Sequence, residues 1–145
     1  MGVIQQGANH PETRPSPTER LREAGLRPTR QRVELARLLF REDDRHLTAE
    51  TLQEEAHKAG VRVSLATIYN TLHQFTEARL LKQVAVEAGR SYFDTNVHEH
   101  QHFYLEDEGM LIDIPGASIE VSGVPAAPSG MVVDRVDVVV RLRRA

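Results

Sequence analysis

From Ser64 onward the chain places Ile68, Leu72 and Phe75 at i, i+4 and i+7, a spacing that brings apolar side chains to one side of an α-helix. Ser64 is suited to cap that helix, because its hydroxyl can accept from a backbone N–H that has no partner in the first turn. The opposite face then carries Thr67, Asn70, Thr71 and Gln74, with Tyr69 beside them. These side chains are short, mostly uncharged and rich in donors and acceptors, which suits hydrogen bonding to base edges in a major groove.

The flanking segments predict a setting for this helix. Thr18 is read as the cap of a short helix over residues 19–24 that ends near Gly25. Pro28 and Thr29 open a second, in which Val33, Ala36 and Phe40 share a face and which stops in the charged turn at residues 42–44. A third starts at Thr48, has Glu50 in its first turn to complement the dipole, stacks Leu52, Ala56 and Ala59, and stops at Gly60. After the fourth, residues 81–86 and 91–94 are strand-like runs joined by Glu87-Ala88-Gly89-Arg90, a turn in which Gly89 supplies a positive φ. Helices followed by a hairpin is the order of a winged helix-turn-helix. The first seventeen residues, with Gly2, Gly7, Pro11, Pro15 and Pro17, are expected to form a flexible arm.

The second half alternates β-type runs with Pro and Gly. Residues 103–105 and 110–114 are expected strands, and residues 131–142 are the longest, with Val136, Val138, Val140 and Leu142 on one face. The prolines and glycines between leave space for at most a short helix around residues 118–121. The expected class is α+β: a winged helix-turn-helix domain at residues 18–94, then a small αβ dimerisation domain at residues 95–145. A long apolar strand in so small a module leaves an edge that favours pairing with a second copy, and a two-fold homodimer matches the two half-sites of a palindrome.

Composition narrows the chemistry. The chain has 145 residues and no Cys, so disulfides, thiolate metal sites and Cys nucleophiles are excluded, and a metal must be held by His, Asp, Glu or water. No apolar run approaches the roughly 20 residues that span a bilayer, and the first residues lack the apolar core of a signal peptide, so no membrane partner and a cytoplasmic location are expected. The net charge of −3 hides an asymmetry: residues 14–41 hold eight Arg against Glu19, Glu23 and Glu34. A local basic stretch can meet phosphates although the whole chain is acidic.

His98, His100 and His102 alternate, so on a strand they project to one side and can converge on one ion. Neutral imidazole is a ligand for zinc, iron, manganese and haem iron, and Asp94 or His46 can complete an N/O shell. The bland alternative is a polar strand face decorated with His; three within five residues favour ligation. His10, His57 and His73 stand alone and are read as structural or solvent-facing.

Together, Gly25-Leu26-Arg27-Pro28-Thr29-Arg30-Gln31-Arg32, Arg45-His46-Leu47-Thr48-Ala49-Glu50, Ser64-Leu65-Ala66-Thr67-Ile68-Tyr69, Tyr92-Phe93-Asp94 and His100-Gln101-His102 resemble the ferric uptake regulator family, and within it the iron response regulators of alphaproteobacteria. The resemblance implies a sensory metal site in the hinge between the two domains, with His46, Asp94, His100 and His102 where the ligands of iron, manganese or zinc lie, and His98 beside them. A second family site would draw on Glu99, Gln101 and Glu120, though Gln101 replaces an acidic ligand. Leu105 and Glu108 fill the positions of the family's paired Cys, so no structural zinc is expected.

Iron response regulators are similar to haem sensors, and His100 or His102 can supply an axial ligand. The expected function is a homodimeric, DNA-binding regulator, mainly a repressor, of iron and haem metabolism genes. Tyr69 and Thr67 are the foremost base contacts, Ser64, Asn70 and Thr71 lie beside them, and Arg27, Arg30 and Arg32 neutralise phosphate or probe a minor groove. The alternative is a repressor dependent on divalent iron or manganese that ignores haem. A His-only zinc hydrolase using Glu99 lacks a catalytic motif, and a metal-storage module would not need the polar face from Thr67 to Gln74.

Overall fold

The structure is a computed structural model that describes residues 14–41, 43–87, 89–115 and 119–145. Most of the expected arm, Glu42, Ala88 and Ser118 lie outside the described residues. Four helices come first: α1 (Pro17–Glu23), α2 (Arg30–Leu39), α3 (Ala49–Lys58) and α4 (Leu65–Glu77), with the two-residue strand β1 (His46–Leu47) before α3. Thr29, Thr48 and Ser64 each cap the helix that follows by accepting from the backbone N–H three residues on. The first helix starts earlier than its sequence suggested. Ser16, not Thr18, is the cap: its hydroxyl accepts from the Glu19 N–H while the Glu19 carboxylate accepts from the Ser16 N–H, and Pro17 sits where no N–H is needed.

The apolar stripes of these helices close one core. Leu21, Leu35, Leu39, Leu52, Ala56, Ile68, Leu72 and Phe75 are inaccessible to solvent, joined by Leu81 and Phe93 from the strands that follow. Strands β2 (Lys82–Glu87) and β3 (Arg90–Asp94) form the hairpin, and β1 adds to the far side of β3 in the order β1-β3-β2. This is a winged helix.

A second sheet has the order β5-β4-β6, from β4 (His102–Leu105), β5 (Met110–Asp113) and β6 (Val139–Leu142), with β4 antiparallel to β5 and parallel to β6. Val84, Val86 and Tyr92 of the wing pack on Tyr104 and Leu111 in a second apolar cluster, so the two sheets meet face to face beside Asp94. The chain is α+β, with every helix of the described residues at or before Glu77; Ile119, Glu120 and Val121, where a short helix was expected, are not helical.

The last strand is shorter than the expected residues 131–142. Its ladder partner β4 is only four residues long, so pairing begins at Val139. Upstream, side chains lash the segment across the wing instead: Arg135 donates to the Gln83 carbonyl at 3.2 Å and Asp137 lies 3.7 Å from the Lys82 ammonium. Val132, expected in the strand, is 88% exposed.

Candidate metal centre

Five side chains converge where the two sheets meet. His46 and Asp94 are register partners on β1 and β3, and His102 and Asp113 are register partners on β4 and β5. His100 comes from the loop that enters β4. One ligand atom from each lies within 4.8 Å of all the others.

The Asp94 carboxylate is the hub. Its Oδ2 lies 2.7 Å from His100 Nε2, 3.0 Å from His102 Nε2 and 3.1 Å from His46 Nε2, while Oδ1 accepts from the Asn96 N–H at 2.9 Å. Asp113 Oδ1 faces the same nitrogens, 2.7 Å from His46 and 3.2 Å from His100. The remaining nitrogen of His100, Nδ1, is 2.6 Å from the His98 carbonyl, a contact that only an Nδ1–H can satisfy, so Nε2 is the nitrogen that would ligate an ion at the centre. The backbone before His46 is pinned as well: Arg45 donates to both carboxylate oxygens of Glu55, and its N–H donates to Thr95 Oγ1.

Asp94 is 1% exposed. Burial alone would raise its pKa, yet hydrogen bonds from His102, His46 and the Asn96 N–H hold it well below the usual carboxylate range. Burial likewise works against a charged His46, but the hydrogen bond and charge of Asp94, with Asp113 behind it, raise its pKa above 6.5. Three imidazoles and two carboxylates, most of them shielded from water, form an N/O donor set that suits a divalent first-row ion such as zinc, iron or manganese.

Of the residues singled out in the sequence, His46, Asp94, His100 and His102 are brought together, and His98, Glu99 and Glu120 are not. His98 lends its carbonyl to His100 while its ring faces solvent, because the chain between Asp94 and β4 is a turn rather than the strand that alternation presumes. Glu99 borders a separate cavity of about 700 Å³ with His100, Gln101, Ile114 and Val136, and Glu120 is exposed. Gln101 Oε1 accepts from the Val138 N–H at 2.7 Å, so it ties together the residues that lead into β4 and β6. Asp113 went unnoticed in the sequence. The signal in the sequence was only an acidic residue inside the apolar run 110–114; that it stands opposite His102 follows from the pairing of β4 with β5.

The DNA-facing expectations divide similarly. Asn70 is exposed and Thr67 and Tyr69 are half-buried, but Thr71 is only 4% exposed, because it lies three residues after Ile68 and packs with the core stripe. Ser64 is occupied as the cap, its hydroxyl 2.9 Å from Thr67 Oγ1. Arg32 is half-buried and engaged within the fold: Nε and Nη2 donate to Gln74 Oε1 at 3.3 and 3.1 Å and Nη1 donates to the Arg27 carbonyl at 2.9 Å, clamping α2 to α4. Arg27 is exposed, and Arg30 extends into solvent with Glu34 3.5 Å away.

A winged helix joined to a small sheet, with clustered His and Asp at the junction, defines a class of two-part regulators. Residues 23–139 match the family model of the Ferric uptake regulator family, and the chain belongs to that family, whose members are transcription regulators and not enzymes. It is 35% identical over 113 residues to the ferric uptake regulation protein of Shigella flexneri, covering 77% of this chain and 76% of that one. Among solved structures, the ferric uptake regulator of Pseudomonas aeruginosa with manganese superposes with a TM-score of 0.68 at 28% identity, covering 88% of this chain and 97% of that one. The ferric uptake regulator of Vibrio cholerae shares the fold, with a TM-score of 0.69 at 24% identity over 88% and 98% of the two chains.

Proposed function

We propose that this chain is a homodimeric, DNA-binding regulator, mainly a repressor, of iron and haem metabolism genes, akin to the iron response regulators of alphaproteobacteria. A divalent ion held by His46, Asp94, His100, His102 and Asp113 sets its affinity for the operator. The observation that carries this reading is the origin of the ligand atoms within that 4.8 Å cluster: two belong to the winged-helix sheet and three to the second sheet or the loop entering it. An ion bridging them favours one orientation of residues 18–94 against residues 95–145, and it shifts the balance only by its different affinity for the two arrangements.

The exposed side of α4 around Thr67, Tyr69 and Asn70 supplies the base-reading surface, and Arg27 with Arg30 supplies phosphate contacts. The outer face of the second sheet supports the dimer. Phe103 pairs with Ile112 and Val140, and Leu105 with Met110 and Leu142, so six apolar side chains share one face on which Met110 is 51% and Ile112 41% exposed. No helix among the described residues is long and apolar enough to cross a membrane, in keeping with a cytoplasmic DNA-binding protein.

Haem enters through His100, which belongs both to the ion cluster and to the wall of the 700 Å³ cavity lined by Ile114, Ile119, Val121, Val124 and Val136. Haem, if bound, would supply an iron that His100 or His102 would hold through an imidazole nitrogen, and that residue would be withdrawn from the ion. The second reading, a sensor of divalent iron or manganese alone, is favoured by the compactness of the five-ligand set and by the manganese-bearing Pseudomonas relative. Fluorescence anisotropy on an operator fragment from the source genome, at one fixed salt concentration, compares the two. Release on haemin with a matching absorption change supports the haem-responsive regulator. Indifference to haemin with manganese-dependent binding leaves the divalent-metal sensor, and no specific DNA binding under either condition removes both.

A further inference from the structure

We infer that Glu50 is a positioning residue for Tyr69 and fixes which base edges the phenol can read. The inference rests on the DNA-binding reading above. Tyr69 lies in the second turn of α4, flanking Thr67 and Asn70, and its hydroxyl donates to Glu50 Oε2 at 3.2 Å from the first turn of α3. The ring of His73 stacks at 6.3 Å between centroids, so the phenol is held along its face as well as at its tip. Both Glu50 and His73 are exposed, and among the described residues no cation pairs with the Glu50 carboxylate. Glu50 complements the dipole of α3 from its first turn, and on the side meant to meet phosphates the same carboxylate carries a repulsion that its bond to Tyr69 puts to use.

A phenol hydroxyl has one hydrogen. Once that hydrogen is given to Glu50, the Tyr69 oxygen can only accept, and the ionised carboxylate beside it is an acceptor too. The pair therefore offers acceptors alone to the groove. It matches the amino hydrogens of adenine N6 or cytosine N4, and it opposes guanine O6 and N7 and thymine O4, which are acceptors themselves. Burial, then the hydrogen bond and charge of Glu50, raise the pKa of Tyr69, so the hydrogen stays in place at working pH. Without Glu50 the hydroxyl is free to turn and donate, and guanine or thymine becomes acceptable at that position.

The test uses the full chain and an operator fragment in which each base pair of one half-site is replaced in turn, with affinities read by anisotropy at one salt concentration for wild type, E50A, E50Q, Y69F and the E50A/Y69F double variant. The wild type is expected to prefer the amino-bearing base at one position by about three- to tenfold, the worth of one net hydrogen bond. E50A loses that preference there and nowhere else, E50Q keeps it because its amide oxygen still accepts, and E50A adds nothing in the Y69F background. A uniform loss of affinity in E50A with the base preferences intact would mean that Glu50 only staples α3 to α4, and loss of the preference in E50Q would also overturn the inference. A wild-type protein that binds no fragment specifically fails the regulator reading itself, a result separable from either of these.

Discussion

His46 Nε2 and Asp113 Oδ1 lie 2.7 Å apart although the residues are 67 positions apart in the chain. They belong to different sheets. β1 is fixed to β3 and β5 to β4, so each sheet alone holds an incomplete ligand set, and the five-atom cluster exists only while the sheets face each other across Val84, Val86, Tyr92, Tyr104 and Leu111. On the proposed reading, metal affinity and sheet packing are one equilibrium: what loosens the interface would weaken the site, and an ion in the site would hold the interface closed.

Asp113→Ala is expected to lower manganese or zinc affinity by about tenfold or more, since even partners outside the coordination shell are worth that much at such sites. His98→Ala should bind metal as the wild type does, because its ring faces solvent while its backbone carbonyl still orients His100. Isothermal titration calorimetry on both variants decides the matter. Equal affinity in Asp113→Ala and wild type would remove Asp113 from the ligand set.

The charge state of the cluster gives a pH dependence whose sign follows from two shifts. His46 has its pKa raised in the folded chain, so it stabilises the metal-free protein fully below 6.5, and that contribution fades as pH rises through the folded value. Asp94 has its pKa lowered, so its contribution is present above 3.8 and is lost as pH falls towards the folded value. Metal-free stability should therefore be greatest between these limits. Metal binding should instead strengthen as pH rises above 6.5 and release a proton, because His46 must give up its hydrogen to ligate. Calorimetry in two buffers of different ionisation enthalpy measures that proton; none released near pH 6.5 would contradict the shared charge.

The helices were legible because their signals are local: a capping hydroxyl, a 3.6-residue stripe and a glycine stop at Gly60 each lie within one element. Two boundaries shifted: the start of α1, where Ser16 and Pro17 together outcompete Thr18, and the end of α2, which stops at Leu39 with Phe40 as its cap, ahead of the charged turn at residues 42–44. What could not be read from spacing were relationships between elements. Thr71 was assigned to the polar face because its side chain is polar, while its angular position is on the core side. The tie between Arg32 and Gln74, 42 residues on, is brought about only by the packing of α2 on α4. Asp113 and the two-residue β1 depend on sheet pairing, which no periodicity encodes.

Arg79 is the non-glycine residue with a positive φ among those described, at 64°. It ends α4: its N–H donates to the Thr76 carbonyl, and the Leu80 N–H donates to the Phe75 carbonyl at 2.9 Å, a C-terminal motif that usually takes glycine. The left-handed conformation costs an ordinary L-residue about 1 kcal/mol. Arg79→Gly should recover most of it and raise the melting temperature by about 3 °C. A fall in melting temperature would show that the Arg79 side chain contributes more at the end of α4 than its backbone costs.

Ile112→Glu tests the proposed dimer without touching the metal cluster. Ile112 is 41% exposed on the outer face of β5, whereas Leu111 and Asp113 on either side point inward to the second core and to the site. Burying an isoleucine is worth about 2 kcal/mol, and a two-fold interface would lose that contact twice while forcing two carboxylates against an apolar face. The dimer should weaken by at least about a hundredfold, with the circular dichroism spectrum and metal binding of each chain retained. Sedimentation velocity at micromolar concentration gives the answer directly. A variant that remains dimeric would place the two-fold contact elsewhere, with the exposed Met131, Val132 and Val133 the next apolar surface to alter.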